Sequence, residues 1–141
     1  MTDATKLVYL RPLLALFGVV AIAIWPLSKL WPAGFIWDDG DARSYYFEMI
    51  CMVYFVLGIF LIIASRNPLE HRSLIWFAIW SSVAHGGLMF VQALDNRPHN
   101  LAHLLGDVPL LLFGAAILTW FMPRKSPAPP AEKLRTEHDR R

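Results

Sequence analysis

The chain has 141 residues, of which 56% are hydrophobic and 17% are charged, and its formal net charge is +2. Soluble domains are typically about 45–50% apolar, and here the apolar excess lies in four blocks. A helix needs roughly 20 mostly apolar residues to cross the hydrocarbon core of a bilayer. So little chain lies outside the four blocks that a soluble catalytic domain is excluded, and the composition predicts an integral membrane protein.

Four transmembrane helices are predicted, in chain order, at about residues 7–31, 45–64, 73–94 and 99–122. The charge-free part of the first block, between Arg11 and Lys29, is short, but both flanking side chains can reach the interface and lengthen it. Its end lacks the small-residue pattern of a signal-peptide cleavage site, so we expect it to remain as a helix. Short turns after the second and third helices favour antiparallel neighbours. The expected fold is therefore all-α, a four-transmembrane-helix antiparallel bundle.

The chain divides into a predicted four-helix membrane domain, residues 1–123, and a tail, residues 124–141. The tail reads "RKSPAPPAEKLRTEHDRR", which is proline-rich and then charged. It has too few apolar residues to bury a core. We therefore predict a basic tail on the cytoplasmic side that is disordered or forms a loose helix on the inner leaflet.

Basic residues are distributed unequally between the two sides of the predicted bundle. With the N-terminus inside, three basic residues fall on outer segments and ten on inner ones, which accounts for all thirteen in the chain. The outer three are Lys29, Arg43 and Arg97. Because positive charge in short flanking segments sets the orientation of membrane proteins, both termini are predicted to be cytoplasmic.

The fourth helix carries the most unusual polar residues of the chain. His99, His103 and Asp107 are four residues apart, which places them on one face of a helix. An aspartate at the centre of a transmembrane helix costs about 2.5–3.5 kcal/mol and usually faces a partner inside the bundle. His85 on the third helix lies at a similar depth. An Asp107–His85 pair is therefore predicted, either as a structural link between two helices or as part of a functional site.

Polar side chains of the second, third and fourth helices are expected to converge on one cavity in the outer half of the bundle. The candidate ligand-binding residues are Glu48, Tyr54, His85, Gln92, His103 and Asp107. Four of these, Glu48, His85, His103 and Asp107, are also of types that bind zinc, iron or manganese. No compact metal motif, nucleophile triad, phosphate loop or nucleic-acid motif occurs. We therefore assign no catalytic residue and expect no resident cofactor, with a quinone or a metal as the open alternatives.

The stretch "EMICMVYFVLGIFLIIASRNPLEHRSLIWFAIWSSVAHGGLMFVQAL" resembles the small four-helix bacterial membrane proteins of the BphX-like and DoxX-like families. The resemblance covers about residues 31–120. Its matching positions are Glu48, Tyr54, Gly58, His71, Arg72 and His85. It implies a four-helix bundle and, through DoxX-like members, a link to quinone-side redox subunits. With Cys51 as the single cysteine, the chain lacks the CxxC pair of thiol redox chemistry.

Two functions are compatible with these features, and an enzyme ranks behind both. The first is a non-catalytic accessory or stabilising subunit of a larger membrane complex, which suits a small protein with aromatic-rich helices and a basic tail. The alternative is a binder or carrier of a quinone-like or lipid-like molecule that uses the outer-half cavity. The expected partners are the lipid bilayer and either another membrane protein or a second copy of the chain, and no nucleic acid.

Overall fold

The computed structural model describes residues 2–35, 45–95 and 101–124, and no strand occurs in these ranges. Five α-helices follow one another: α1 (Asp3–Leu30), α2 (Tyr45–Arg66), α3 (Arg72–Asp95), α4 (Leu101–Leu105) and α5 (Asp107–Phe121). A short 3-10 helix, Pro32–Phe35, follows α1. The helices α1, α2 and α3 and the stretch His103–Phe121 are each long and apolar enough to cross a membrane. The predicted all-α protein with four candidate spans is confirmed.

Helix α1 begins four residues earlier than predicted because Thr2 caps its N-terminus. The Thr2 hydroxyl accepts a hydrogen bond from the backbone N–H of Thr5 at 3.3 Å, which satisfies one of the unpaired donors at the helix start. Asp3 in the first turn and Lys29 in the last turn complement the helix dipole. The helix continues through Pro12 and Pro26, as membrane helices can where neighbouring groups compensate for the missing donors.

The described helices form a ring in which each span contacts two others. The most extensive contacts join α1 to α2 and α3 to α5, and smaller ones join α2 to α3 and α1 to α5. The short helix α4 contacts α3 and α5. Within the described ranges, α1 does not contact α3, and α2 contacts neither α4 nor α5. The ring therefore consists of two closely packed helix pairs.

The apolar core lies at one end of this ring, which we call the core end. The start of α1, the end of α2, the start of α3 and the end of α5 meet there. Their buried side chains are Leu10, Leu14, Leu61, Ile75, Ala78, Ile79, Ala115, Leu118 and Met122. At the opposite end, which we call the polar end, lie Lys29, Glu48, His103 and Asp107. These four side chains therefore lie away from the apolar core.

The backbones of α1 and α2 approach each other closely at Gly18 and Gly58. A Cβ atom built on Gly58 would lie 2.5 Å from the carbonyl oxygen of Gly18, and one built on Gly18 would lie 2.7 Å from the carbonyl oxygen of Gly58. Small residues permit such close packing between membrane helices, where dispersion contacts replace the hydrophobic effect as the source of association. The glycine pair explains why α1 and α2 can pack so extensively.

The fourth span is not the single helix that the sequence predicts at 99–122, because it is broken at Gly106 between α4 and α5. In a continuous helix, Pro109 has no N–H to donate to the carbonyl of Leu105, and the proline ring would clash with that carbonyl. In the structure Pro109 is the third residue of α5, a position whose N–H needs no partner within the helix. The break thus removes the conflict that the proline would cause.

Some predictions fall on parts of the chain outside the described residues. These are the start of the fourth helix at His99, residues 36–44 of the first loop, and the tail from residue 125 onwards.

Candidate functional site

His103 and Asp107 form a pair across the break in the fourth span. The Nδ1 atom of His103 lies 2.9 Å from Oδ2 and 3.1 Å from Oδ1 of Asp107. The His103 side chain is 12% exposed and that of Asp107 is 38% exposed. Asp107 is also the first residue of α5, where the positive end of the helix dipole favours a carboxylate. The four-residue spacing seen in the sequence therefore does bring these two groups together.

His85 and Tyr54 form a second polar contact deeper in the bundle, between α3 and α2. Their ring centroids are 5.8 Å apart, and the rings meet edge-on at 72°. His85 precedes the last residue of α3, Asp95, by ten residues, which corresponds to about 15 Å along the helix axis. Asp107 also interacts electrostatically with His85. His85 thus contacts the Tyr54 ring, while its link to the Asp107 carboxylate is electrostatic.

These four residues, Tyr54, His85, His103 and Asp107, form a group that we call the polar ladder. It extends from the polar end towards the middle of the bundle and draws on three of the four spans. The ladder offers a phenolic hydroxyl, two imidazole rings and a carboxylate, which together can donate and accept hydrogen bonds. Such a set can bind an oxygen-bearing head group inside an otherwise apolar bundle.

Asp107 has a different hydrogen-bonding partner from the one that the sequence predicts. Depth alone pairs it with His85, whereas in the structure it forms a hydrogen-bonded pair with His103 and interacts with His85 only electrostatically. Residues four apart in sequence are neighbours on a helix surface, so their side chains can pair without any contact to another helix. The pair therefore links α4 to α5 across the break and does not itself fasten α5 to α3.

Glu48 lies apart from the polar ladder, paired with Lys29 of α1. The two side chains are 41% and 47% exposed, respectively, so this ion pair contributes little to stability. Since α2 contacts neither α4 nor α5 within the described residues, the structure does not bring Glu48 together with His103 and Asp107. Lys29 is not among the residues predicted for the site, although a basic residue at the end of one helix and an acidic residue at the start of the next are the signal for this pair in the sequence.

Gln92 lies on α3 two turns closer to the polar end than His85 and on nearly the same face. Its side chain is exposed. The side chain of Cys51, by contrast, is fully buried. Gln92 therefore lies nearer the polar end than His85 does, and Cys51 lies about one turn after Glu48 on α2.

The metal ligands that the sequence allows are not assembled into one site. Among the residues that the structure describes, no group of three or more His, Cys, Asp or Glu side chains is placed to hold a metal ion. Of the four candidates, His85, His103 and Asp107 belong to the polar ladder, while Glu48 is engaged by Lys29. Glu48 therefore does not join the other three candidates.

The fold and the polar ladder define a small helical membrane protein with four candidate spans, three of which contribute residues to the polar ladder. The chain belongs to a family of unknown function, DUF6632, whose model matches residues 4–137 and so includes all four spans. No curated protein and no solved structure matches the chain. The resemblance to the BphX-like and DoxX-like families stays a prediction.

Proposed function

We propose that this protein binds a small amphipathic molecule, quinone-like or lipid-like, through the polar ladder. The observation that supports the proposal is the Asp107–His103 pair, placed at a break in a transmembrane span and electrostatically linked to His85. Ionisable groups are rare in membrane spans because of their desolvation cost, and they commonly mark ligand or ion pathways. Discontinuous membrane helices are likewise a recurrent way of building binding sites.

Each ladder residue has a role that follows from its chemistry. The Tyr54 hydroxyl and a His85 ring nitrogen can donate hydrogen bonds to a carbonyl of the head group. Asp107 can accept a hydrogen bond from a hydroxyl of the head group, while His103 orients the carboxylate. The apolar tail of the ligand stays in the surrounding lipid. The protein then acts as a binder or carrier, and no covalent step is required.

The Asp107→Asn variant tests this role because it removes the charge while keeping the shape of the side chain. Native mass spectrometry of gently extracted wild-type protein should show a retained mass of a few hundred daltons that this variant has lost. In a titration with decylubiquinone, the variant should bind at least about tenfold more weakly, equivalent to about 1.4 kcal/mol. The matched control is Asp95→Asn at the exposed end of α3, which should leave both results unchanged.

Thermal unfolding of both variants shows whether the change is confined to binding. The proposal requires that Asp107→Asn unfold near the wild-type temperature while losing the ligand. Wild-type affinity in Asp107→Asn, or an equal loss in Asp95→Asn, would contradict it.

A second candidate function, an accessory subunit of a membrane complex, is favoured by Trp80. This side chain is 65% exposed, and it lies eight residues, about 12 Å, from the start of α3. Tryptophan usually lies at the membrane interface, because its indole N–H needs a hydrogen-bonding partner. At this depth a helix of another protein can cover the ring. A co-purifying protein mass in the same experiment is the result expected of this function.

We also propose that the helices are antiparallel and that both termini face the cytoplasm of a bacterial inner membrane. The Lys29–Glu48 pair joins the end of α1 to the start of α2, and Gly18 meets Gly58 near their middles, which suits opposite helix directions. The ratio of ten inner to three outer basic residues supports the orientation.

Reporter fusions at Arg141 test this orientation. Green fluorescent protein fused there should fluoresce, and alkaline phosphatase fused there should be inactive, since the latter is active only outside the cytoplasmic membrane. An active phosphatase fusion would place the C-terminus outside and reverse the proposed topology.

A further inference from the structure

A groove on the outside of the bundle, between α1 and α5, is separate from the polar ladder and lies near the core end. It has a volume of about 330 Å³ and an entirely apolar surface, lined by Tyr9, Pro12, Leu13, Leu16, Ile117 and Phe121. The rings of Tyr9 and Phe121 are 5.6 Å apart and tilted by 45°. This aromatic pair marks the end of the groove that lies nearest the start of α1 and the end of α5.

Two basic residues lie three positions beyond the aromatic pair along the chain. Lys6 precedes Tyr9 by three residues on α1, which places it on the same helix face about one turn further out. Arg124 follows Phe121 by three residues and is exposed. Among the described residues around the core end, five are basic and two are acidic: Lys6, Arg11, Arg66, Arg72 and Arg124 against Asp3 and Glu70. The end of the bundle that carries the apolar groove is therefore positively charged.

We propose that this groove is a binding site for an anionic phospholipid. One acyl chain lies along the apolar lining, and the phosphate contacts Lys6 and Arg124. Basic residues next to membrane spans attract anionic head groups, and basic pockets between membrane helices bind them specifically. The lipid bridges α1 and α5, which have only a small direct contact, and so fills a gap at the seam between the two helix pairs.

This inference does not rest on the proposed ligand of the polar ladder, because the groove lies at the opposite end of the bundle. It has its own test, a competition between two lipids for the full-length protein in detergent. Equal amounts of dioleoyl phosphatidylglycerol and dioleoyl phosphatidylcholine are added, and the bound lipids are counted by native mass spectrometry. We expect the wild-type protein to retain one phosphatidylglycerol preferentially.

The decisive comparison is between two double variants that remove the same charge from the same end. Lys6→Gln with Arg124→Gln should reduce the preference for phosphatidylglycerol at least about fivefold. Arg66→Gln with Arg72→Gln changes residues of α2 and α3 and should leave the preference as in the wild type. An equal loss in both double variants would show that the attraction is a general effect of charge and would overturn the proposal.

The apolar part of the site is tested by Leu16→Trp, which fills the groove from an exposed position. Leu16 is 58% exposed, so the larger ring can be accommodated without disturbing the core, and thermal unfolding of the variant verifies this. The variant should lose the retained lipid. Three results would contradict the site. The first is retention of the lipid in Leu16→Trp, and the second is displacement of the lipid by inorganic phosphate alone. The third is a bound protein, in place of a lipid, that Leu16→Trp displaces.

Discussion

Replacing Gly58 with alanine should lower the free energy of unfolding by about 3 kcal/mol, near the upper end of the cost of overpacking a well-packed interior. The added Cβ atom would lie 2.5 Å from the carbonyl oxygen of Gly18 and 2.8 Å from a side-chain carbon of Ile22. The carbonyl belongs to the backbone of a long helix, so it cannot turn aside as a flexible side chain would. The helices α1 and α2 must move apart, and they lose dispersion contacts along their interface.

The matched control is Gly87→Ala, the same exchange in the middle of α3. A Cβ atom at Gly87 meets no other atom within 4 Å, and alanine favours a helix more than glycine does. The control should therefore be as stable as the wild type or slightly more stable. Equilibrium unfolding in mixed micelles, followed by tryptophan fluorescence, measures both variants. Equal stability of Gly58→Ala and the wild type would mean that the helices do not approach as closely as the structure shows.

Replacing Pro109 with alanine should close the break at Gly106 and weaken ligand binding at the polar ladder. Alanine supplies the N–H that can donate to the carbonyl of Leu105 and removes the ring that would clash with it. The gain in stability should be on the order of 1 kcal/mol. A continuous helix changes the direction of the Asp107 side chain. The affinity for decylubiquinone should therefore fall about tenfold, even though the protein is more stable.

Hydrogen exchange at the amides around the break measures the closure directly, because newly paired N–H groups exchange more slowly. The control is Pro12→Ala, which restores an N–H within α1 far from the polar ladder. It should leave both the exchange at the break and the quinone affinity unchanged. Unchanged exchange in Pro109→Ala would show that the proline is not what separates α4 from α5.

The positions of the spans could be predicted from the sequence because they depend on one additive property, the length of apolar chain between charged residues. The break in the fourth span could not be found in this way, since a hydropathy average over the span is hardly altered by Gly106 and Pro109. The local signal was nevertheless present. Glycine and proline are the residues that most strongly interrupt a helical pattern, and here they stand three residues apart.

The candidate site could be predicted only in part, because depth along a helix does not define which helices are neighbours. Glu48 and Asp107 lie near the same end of their spans, yet α2 and α5 are not in contact. The pairing of His103 with Asp107 depends only on their spacing along one span, so it could have been predicted from the sequence. The contact between Tyr54 and His85 depends on the packing of α2 against α3, which spacing along the chain does not specify.

The close approach of Gly18 and Gly58 has a consequence for the biogenesis of the protein. The two glycines lie within the first 66 residues, and α1 packs more extensively on α2 than on any later helix. Contacts between segments close in sequence form early, and a nascent chain folds from its N-terminus. The first two spans can therefore pair while the ribosome is still synthesising the third, and this early pair then offers a preformed surface to α3 and α5 as they leave the translocon.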